Sequence, residues 1–389
     1  MAINGYAVFD SDLHVIEPAD LWTRYIDPKY RDRAPIGLKD EPFSTGNLIK
    51  HDGAQYSPRK EAAQYFEGAV DHCTEQARLR GRYQQYIDFD RRDWGPDTQI
   101  EAMDTEGVDA AVLFPTRGLA ATGSEYEEDG LAAAMARAYN DWMAEFCSYA
   151  PDRLYGAAMI HPQSVELAAQ EVRRTAREYG FKGSYIRPNP VKGRNWHDPV
   201  YDPLWAAFEE EQMLVGFHEG YPCTLPFAVA ERFDGRHEDW WLTEHVTRHP
   251  VEMMYASTCM INGGVLERFP NLRVGFLEAN CSWVPYWLWR MDEHYEIREK
   301  FLKHILPKKP SSYFLNQCFV SIEADEHTAC PVLDSIAENV VFSTDFPHSD
   351  SAYPKAMETF MELALTEEQR RKILWDNCVR MYGFTPGAR

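Results

Sequence analysis

Tyr6-Ala7-Val8-Phe9-Asp10-Ser11-Asp12-Leu13-His14-Val15-Ile16-Glu17-Pro18 carries an apolar lead-in that runs into a cluster of polar groups. The lead-in predicts a short buried strand. Residues two apart in a strand point to the same face, so Asp12 and His14 look the same way. A carboxylate beside an imidazole at the end of a buried strand is half of a metal site, because both ligate divalent ions and neither is usually buried without a partner. The other half has to come from later in the chain.

Moving outward, residues from about 19 to 100 are rich in Tyr, Arg and Asp without sustained periodicity. They predict a long insertion after the first strand, of the kind that serves as a lid or partner surface. A regular rhythm then begins. Gln99 to Glu106 reads as a helix, Val108 to Pro115 as a buried strand, and a helix with Leu131, Met135, Tyr139, Trp142, Phe146 and Tyr149 on its apolar positions stops at Pro151. Further strands run into His161, Arg187, His218, Glu278, Glu323 and Asp345. Between them, Val165 to Tyr179 reads as a helix opened by Ser164 and closed by Gly180. An excursion over 221–250 precedes a helix expected from Val251 to Phe269, and Thr366 with Gln369 forms a capping box for the last helix, which ends before Gly383.

Eight strands separated by helices imply a parallel sheet closed into a (β/α)8 TIM barrel, with residues 1–389 as one domain. The alternative is a doubly wound open sheet. Two features favour the barrel: polar residues recur at the strands' C-terminal ends, where barrel active sites assemble, and no Gly-rich phosphate loop follows the first strand.

Composition narrows the function. A 44% apolar content supports a substantial core, and 40 basic against 61 acidic residues give a net charge of −21. That charge disfavours nucleic acid and anionic membranes as partners. Neither a membrane span nor a leader is apparent, so a cytoplasmic protein is expected. Eight cysteines without Cys-x-x-Cys spacing read as reduced thiols.

The constellation that carries chemistry is Asp12, His14, His218 and Asp345, with Glu278 next to it. Two imidazoles with carboxylates suit Zn, Mn or Fe and argue against a thiolate site. Arg187 reads either as a bidentate clamp for a substrate carboxylate or as a structural ion pair. His245 and His249 read as a solvated or lid pair, and Trp283, Trp287 and Trp289 as core or dimer surface.

The stretch Asp10-x-Asp12-x-His14-Val15-x-Glu17-Pro18-x-Asp20-Leu21-Trp22, together with Gly263 to Val274, Phe276 to Pro285 and Ser343-Thr344-Asp345-Phe346-Pro347-His348, resembles the amidohydrolase-related metal-dependent family. That family is typified by aminocarboxymuconate semialdehyde decarboxylase and the hydroxybenzoate-type decarboxylases. The resemblance implies a distorted (β/α)8 barrel with a divalent metal at its mouth, usually in a dimer. Asp12 and His14 would be ligands from the first strand, His218 from the fifth and Asp345 from the eighth. Asp12 and Glu278 stand where the prototype has histidines, although a Glu-x-His variant of the first pair occurs among related aromatic-acid decarboxylases.

Glu17, Asp12, Glu278 and Asp345 would over-neutralise one dication, and a second metal would resolve the excess. His161 and His348 could complete such a centre. Arg187 occupies the place of a bridging carbamylated lysine, so any bridge would be a carboxylate.

Three functions follow as expectations. The first is decarboxylation or hydrolysis of a small carboxylated or carbonyl substrate at one Zn or Mn, with Asp345 as proton carrier or base and Arg187 orienting the acid group. The second is an O2-activating Fe/Fe or Fe/Mn hydroxylase with Asp12, His14, Glu17, His218, Glu278 and Asp345 as ligands. The third is a silent barrel partnering an active paralogue. A homodimer, or a heteromer with a paralogue, is expected.

Overall fold

Short apolar runs buried on both faces form the eight parallel strands, as parallel strands covered on both sides require. They are β1 (Phe9–His14), β2 (Ala110–Phe114), β3 (Leu154–Met159), β4 (Gly183–Tyr185), β5 (Val215–His218), β6 (Val274–Leu277), β7 (Cys318–Ile322) and β8 (Val340–Phe342). The computed structural model describes residues 5–35, 50–51, 54–55, 83–126, 128–220, 223, 225–233, 240–348 and 351–387. The strands pair in the orders β1-β2-β3-β4 and β5-β6-β7-β8.

Two seams join these halves. Ile186 N donates to Gly216 O at 2.8 Å and His218 N to Ile186 O at 3.0 Å, joining β4 to β5. Across the other seam, Ser11 Oγ donates to Phe342 O at 2.7 Å and His14 N to Phe346 O at 2.7 Å. The barrel expected from the sequence is therefore closed. Gly216 is needed at the first seam, where a Cβ would sit 2.1 Å from Ser184 O.

β1 carries an irregularity that matters for the site. Asp10 pairs with Ala111 but Leu13 pairs with Leu113, so β1 holds one extra residue between them. Such a bulge re-aims side chains at a barrel rim.

The helix after β5 departs from expectation. It runs from Trp240 to Asn262, with Pro250 inside it, rather than starting at Val251. A mid-helix proline forfeits one backbone hydrogen bond. Here Glu244, Arg248, His249 and Glu252 on the same helix are all buried and paired, and these tertiary contacts offset the cost. Elsewhere the caps are as expected: Ser164 Oγ accepts from Leu167 N, Gly180 closes its helix at φ 72°, and Thr366 and Gln369 form the capping box.

Of the insertion expected over 19–100, most of 36–82 lies outside the described residues. Its flanks form helices at Leu21–Tyr25, Tyr83–Arg91 and Pro96–Glu106. Tyr86 OH donates to Pro347 O at 3.1 Å and stacks on Tyr353, which fastens the helix Tyr83–Arg91 to the loop after β8. Trp283 and Trp287 pack partly buried on the core, whereas Trp289 is 57% exposed. The seven described cysteines are free. Among the described residues no helix is long and apolar enough to cross a membrane.

Candidate metal centre

His14 and His218 end β1 and β5 and meet at the C-terminal mouth. Each ring commits Nδ1 to a backbone carbonyl: His14 to Pro115 O at 2.7 Å and His218 to Glu219 O at 2.5 Å. A carbonyl only accepts, so Nδ1 bears the proton in both rings and Nε2 keeps its lone pair. The two Nε2 atoms nevertheless face each other at 3.1 Å. Burial pushes the His14 imidazole well below its usual pKa, and the neighbouring His348 and His218 add to that.

Carboxylates complete the cluster. Asp12 Oδ1 lies 3.2 Å from His218 Nε2 and 3.4 Å from His14 Nε2, and Asp345 Oδ1 lies 3.4 Å from His14 Nε2. Asp12 Oδ1 is buried and receives no hydrogen bond. Two lone-pair nitrogens and carboxylate oxygens thus converge with no proton to share between the nitrogens, an arrangement that a divalent cation satisfies. Asp12, His14 and His218 offer ligand atoms within 4.8 Å of one another, and so do His14, Asp345 and His348. The donor set fits a divalent metal such as manganese or zinc, with no thiolate in it.

Surrounding groups hold these side chains. His348 Nδ1 is 2.7 Å from Asp345 Oδ1, and its Nε2 is 3.1 Å from Thr116 Oγ1. Asp10 Oδ2 accepts from Thr344 Oγ1 at 2.5 Å and Thr344 N at 3.2 Å, while Asp10 Oδ1 accepts from Asp12 N at 3.0 Å. Burial raises the Asp10 carboxyl well above its usual pKa, against those hydrogen bonds. Both acids at the ends of β6 and β8, Glu278 and Asp345, have left-handed backbone, each at φ 53°. Non-glycine residues are held there only when their surroundings over-determine them.

The remaining expected site residues fall elsewhere. Glu17 is in neither ligand cluster. Its Oε2 accepts from Thr116 N and Arg117 N at 3.3 and 2.8 Å, and its Oε1 accepts from Gly118 N at 2.8 Å. The backbone of the loop after β2 has claimed it. His161 is buried, bonds Ser124 O through Nε2 at 3.0 Å, and is pushed down to about 4 by burial. It too is outside both clusters.

Arg187 is 2% exposed and spends its guanidinium on its own neighbourhood: Glu219 Oε2 at 3.1 Å, Gly220 O at 2.5 Å and Asn189 Oδ1 at 3.3 Å. The structural ion pair, one of its two sequence readings, is therefore formed. Glu278 Oε2 sits 3.1 Å from His218 Nδ1, the nitrogen remote from the Nε2 meeting point.

His249, expected to be half of a solvated or lid pair, is buried, with Nδ1 2.8 Å from Glu278 O and Nε2 3.1 Å from Arg248 Nη2. The sequence signal for it was a His at the end of a patterned helical stretch, and the adjacent Pro250 masked that stretch. Asp10 and Thr344 were also missed as supports.

Comparison with known proteins adds to this geometry. The amidohydrolase family profile matches residues 9–384. The chain is 26% identical over 318 residues to 2-amino-3-carboxymuconate-6-semialdehyde decarboxylase of Dictyostelium discoideum, covering 81% of this chain and 84% of that protein. It is 25% identical over 295 residues to gamma-resorcylate decarboxylase of Polaromonas sp., covering 74% and 86%. An amidohydrolase structure from Mycobacterium avium subsp. paratuberculosis superposes with a TM-score of 0.75 at 21% identity over 98% of this chain and 100% of that one. Dihydroxybenzoic acid decarboxylase from Polaromonas sp., solved with manganese and 2-nitroresorcinol, gives 0.65 at 19% identity over 97% of each chain. The structural likenesses carry the barrel fold.

Proposed function

Because the chain belongs to the amidohydrolase family, we propose that it is a decarboxylase of a small carboxylic acid bearing a neighbouring oxygen. In this reading one divalent ion, manganese or zinc, is held by Asp12, His14, His218 and Asp345. The observation that carries it is the 3.1 Å approach of two Nε2 lone pairs whose Nδ1 atoms are already committed. The ion would supply a Lewis acid and template for the substrate carboxylate and its neighbouring oxygen.

Asp345 is the proton carrier. It gives a proton to the carbon bearing the carboxyl group; the bond from that carbon to the carboxyl group then breaks, its electron pair returns to the conjugated system, and CO2 leaves. His348, 2.7 Å away, orients Asp345 and stands where its proton is replaced. Arg187 braces Glu219 behind His218 rather than gripping substrate. Tyr86 ties the helix Tyr83–Arg91 to Pro347 after β8, and the active form is a homodimer.

The decarboxylase relatives favour loss of a carboxyl group over hydrolysis. The hydroxylase reading needed Glu17 as a ligand, and that carboxylate is occupied by three backbone N–H groups. The test is metal content of protein purified without chelator, followed by CO2 release from a panel of ortho-hydroxybenzoates and conjugated enol acids. About one Mn or Zn per chain and metal-dependent CO2 release are expected. Absence of bound metal, or substrate-dependent O2 uptake without CO2 release, overturns the reading.

A further inference from the structure

We propose that His161 is an acid-sensitive latch on a strap, residues Thr116 to Tyr126, that lies across the mouth of the barrel, and that protonating its ring frees the strap's far end. The latch works whichever reaction is performed at the mouth, so a failed test leaves the decarboxylase reading untouched.

The strap touches the C-terminal ends of five strands. Thr116 Oγ1 lies 3.1 Å from His348 Nε2, beyond β8. Gly118 N donates to Glu17 Oε1, beyond β1, and a Cβ on Gly118 would sit 2.6 Å from Met159 Cε at the end of β3. Leu119 packs on Gly220, beyond β5, where a Cβ would meet Leu119 Cδ1 at 2.6 Å. Thr122 Oγ1 donates at 2.7 Å to Tyr185 OH, at the end of β4. Every residue of the short helix Gly118–Thr122 is buried.

The two ends are fastened differently. At the near end Glu17 accepts from three backbone N–H groups. At the far end His161 Nε2 is 3.0 Å from Ser124 O, and Gln163 exchanges two hydrogen bonds of 2.7 Å with the Tyr126 backbone. A carbonyl only accepts, so Nε2 carries the ring proton and Nδ1 is bare. Nδ1 is buried and has no hydrogen-bond partner among the described residues. A second proton there would bury both a charge and a donor with nothing to receive it.

The groups facing the ring do not relieve that cost. The Tyr126 ring stands edge-on at 5.4 Å. Asp129 Oδ1 already accepts from Lys192 Nζ at 2.6 Å and Gln163 Nε2 at 2.7 Å, and Glu125 Oε1 accepts from Lys192 N. Asp129 favours the proton and Lys192 opposes it, while burial outweighs both and holds the closed-state ring at about 4 rather than 6.5. For a histidine held down in this way, the closed state's stability is complete above 6.5 and is lost as pH falls towards 4. The opening constant therefore rises about 20-fold from pH 7 to pH 5.

The experiment is hydrogen exchange read by mass spectrometry on the full-length protein at pH 7 and pH 5, corrected for intrinsic rates, for wild type and His161→Gln. It follows peptides covering the strap and, as a control, β6. Glutamine can place an amide N–H near the Nε2 position and does not titrate. The wild-type strap should lose about 20-fold in protection at pH 5 while β6 loses none, and the His161→Gln strap should lose severalfold less. Acid also reaches Glu17, whose carboxyl burial pushes up. The variant keeps that contribution, so the difference between the two proteins reports the latch. Flat wild-type protection of the strap, a loss shared by β6, or an equally large loss in His161→Gln overturns the latch, and the first two outcomes require no variant that folds.

Discussion

Asp12→Asn separates a metal ligand from a structural carboxylate. Asp12 Oδ1 is buried, accepts no hydrogen bond, and lies within 3.4 Å of two imidazole nitrogens that carry no proton. In metal-free protein its charge gains little from its surroundings and sits in the same cluster as Asp345. Its value appears when a cation arrives. A ligand at about a hundredfold excess over its Kd stabilises the folded state by about 2.7 kcal/mol. With an unfolding entropy of about 2.1 cal/mol/K per residue, the 389 residues give about 0.8 kcal/mol/K, so that binding raises Tm by about 3 °C. The assay is scanning calorimetry with and without Mn2+. Wild type should show the rise, and Asp12→Asn should lose most of it while its metal-free Tm moves by less than about 1 °C, the usual range for a substitution that breaks no existing interaction. An undiminished Mn2+ shift in Asp12→Asn refutes the ligand assignment. A large drop in its metal-free Tm would mean that protein groups alone satisfy the carboxylate.

Glu17→Gln should leave metal stoichiometry unchanged but lower stability by about 1–3 kcal/mol in urea denaturation, because one carboxylate oxygen that accepts backbone N–H groups becomes a donor. Thr344→Val removes the hydroxyl that donates to buried Asp10, and a similar loss of about 1–3 kcal/mol is expected, read from the same midpoint shift. Burial, with the charge of Glu219, pushes Glu252 from 4.5 up to about 7. An acid whose folded pKa is raised contributes stability that is complete below its unfolded pKa and is lost as pH rises through the folded one. The Tm of Glu252→Gln relative to wild type should therefore climb between pH 5 and pH 8, and a flat difference would contradict that environment. Tyr286, Trp289, Ile297 and Phe301 leave an exposed apolar stripe on the helix Val284–Leu302; sedimentation should find wild type dimeric and Phe301→Glu shifted towards monomer.

The strands and the four residues of the central cluster were legible because their signal is local. A short apolar run ending in a polar residue identifies a barrel strand wherever its partners lie, and Asp12 and His14 announce themselves by spacing. What the sequence hid is which distant group claims each polar atom. Glu17 follows His14 by three residues and resembles a ligand, yet N–H groups about a hundred positions away bind it. Arg187 ends its strand where a substrate clamp would, but Glu219 on the next strand's loop neutralises it. His249 precedes a proline that reads as a helix stop, and its partner Glu278 is 29 residues further on.

These hidden claims bear directly on how the centre works. Glu278 and Asp345 adopt backbone conformations that non-glycine residues avoid, and neither conformation is explained by the local sequence. At Glu278 the peptide N–H is taken by Ser321 and the carbonyl by His249. At Asp345 the peptide N–H reaches Ser343 Oγ at 3.2 Å, and that hydroxyl donates to Asp12 O at 2.9 Å across the closing seam. Strand closure, the helix Trp240–Asn262 and the buried Asp10–Thr344 pair therefore impose the geometry of the cluster. A mouth organised by the protein in this way needs little rearrangement on binding a cation. It follows that substitutions in the supports should weaken metal affinity even where they touch no ligand, whereas neutralising Asp12 should weaken it without loosening the fold.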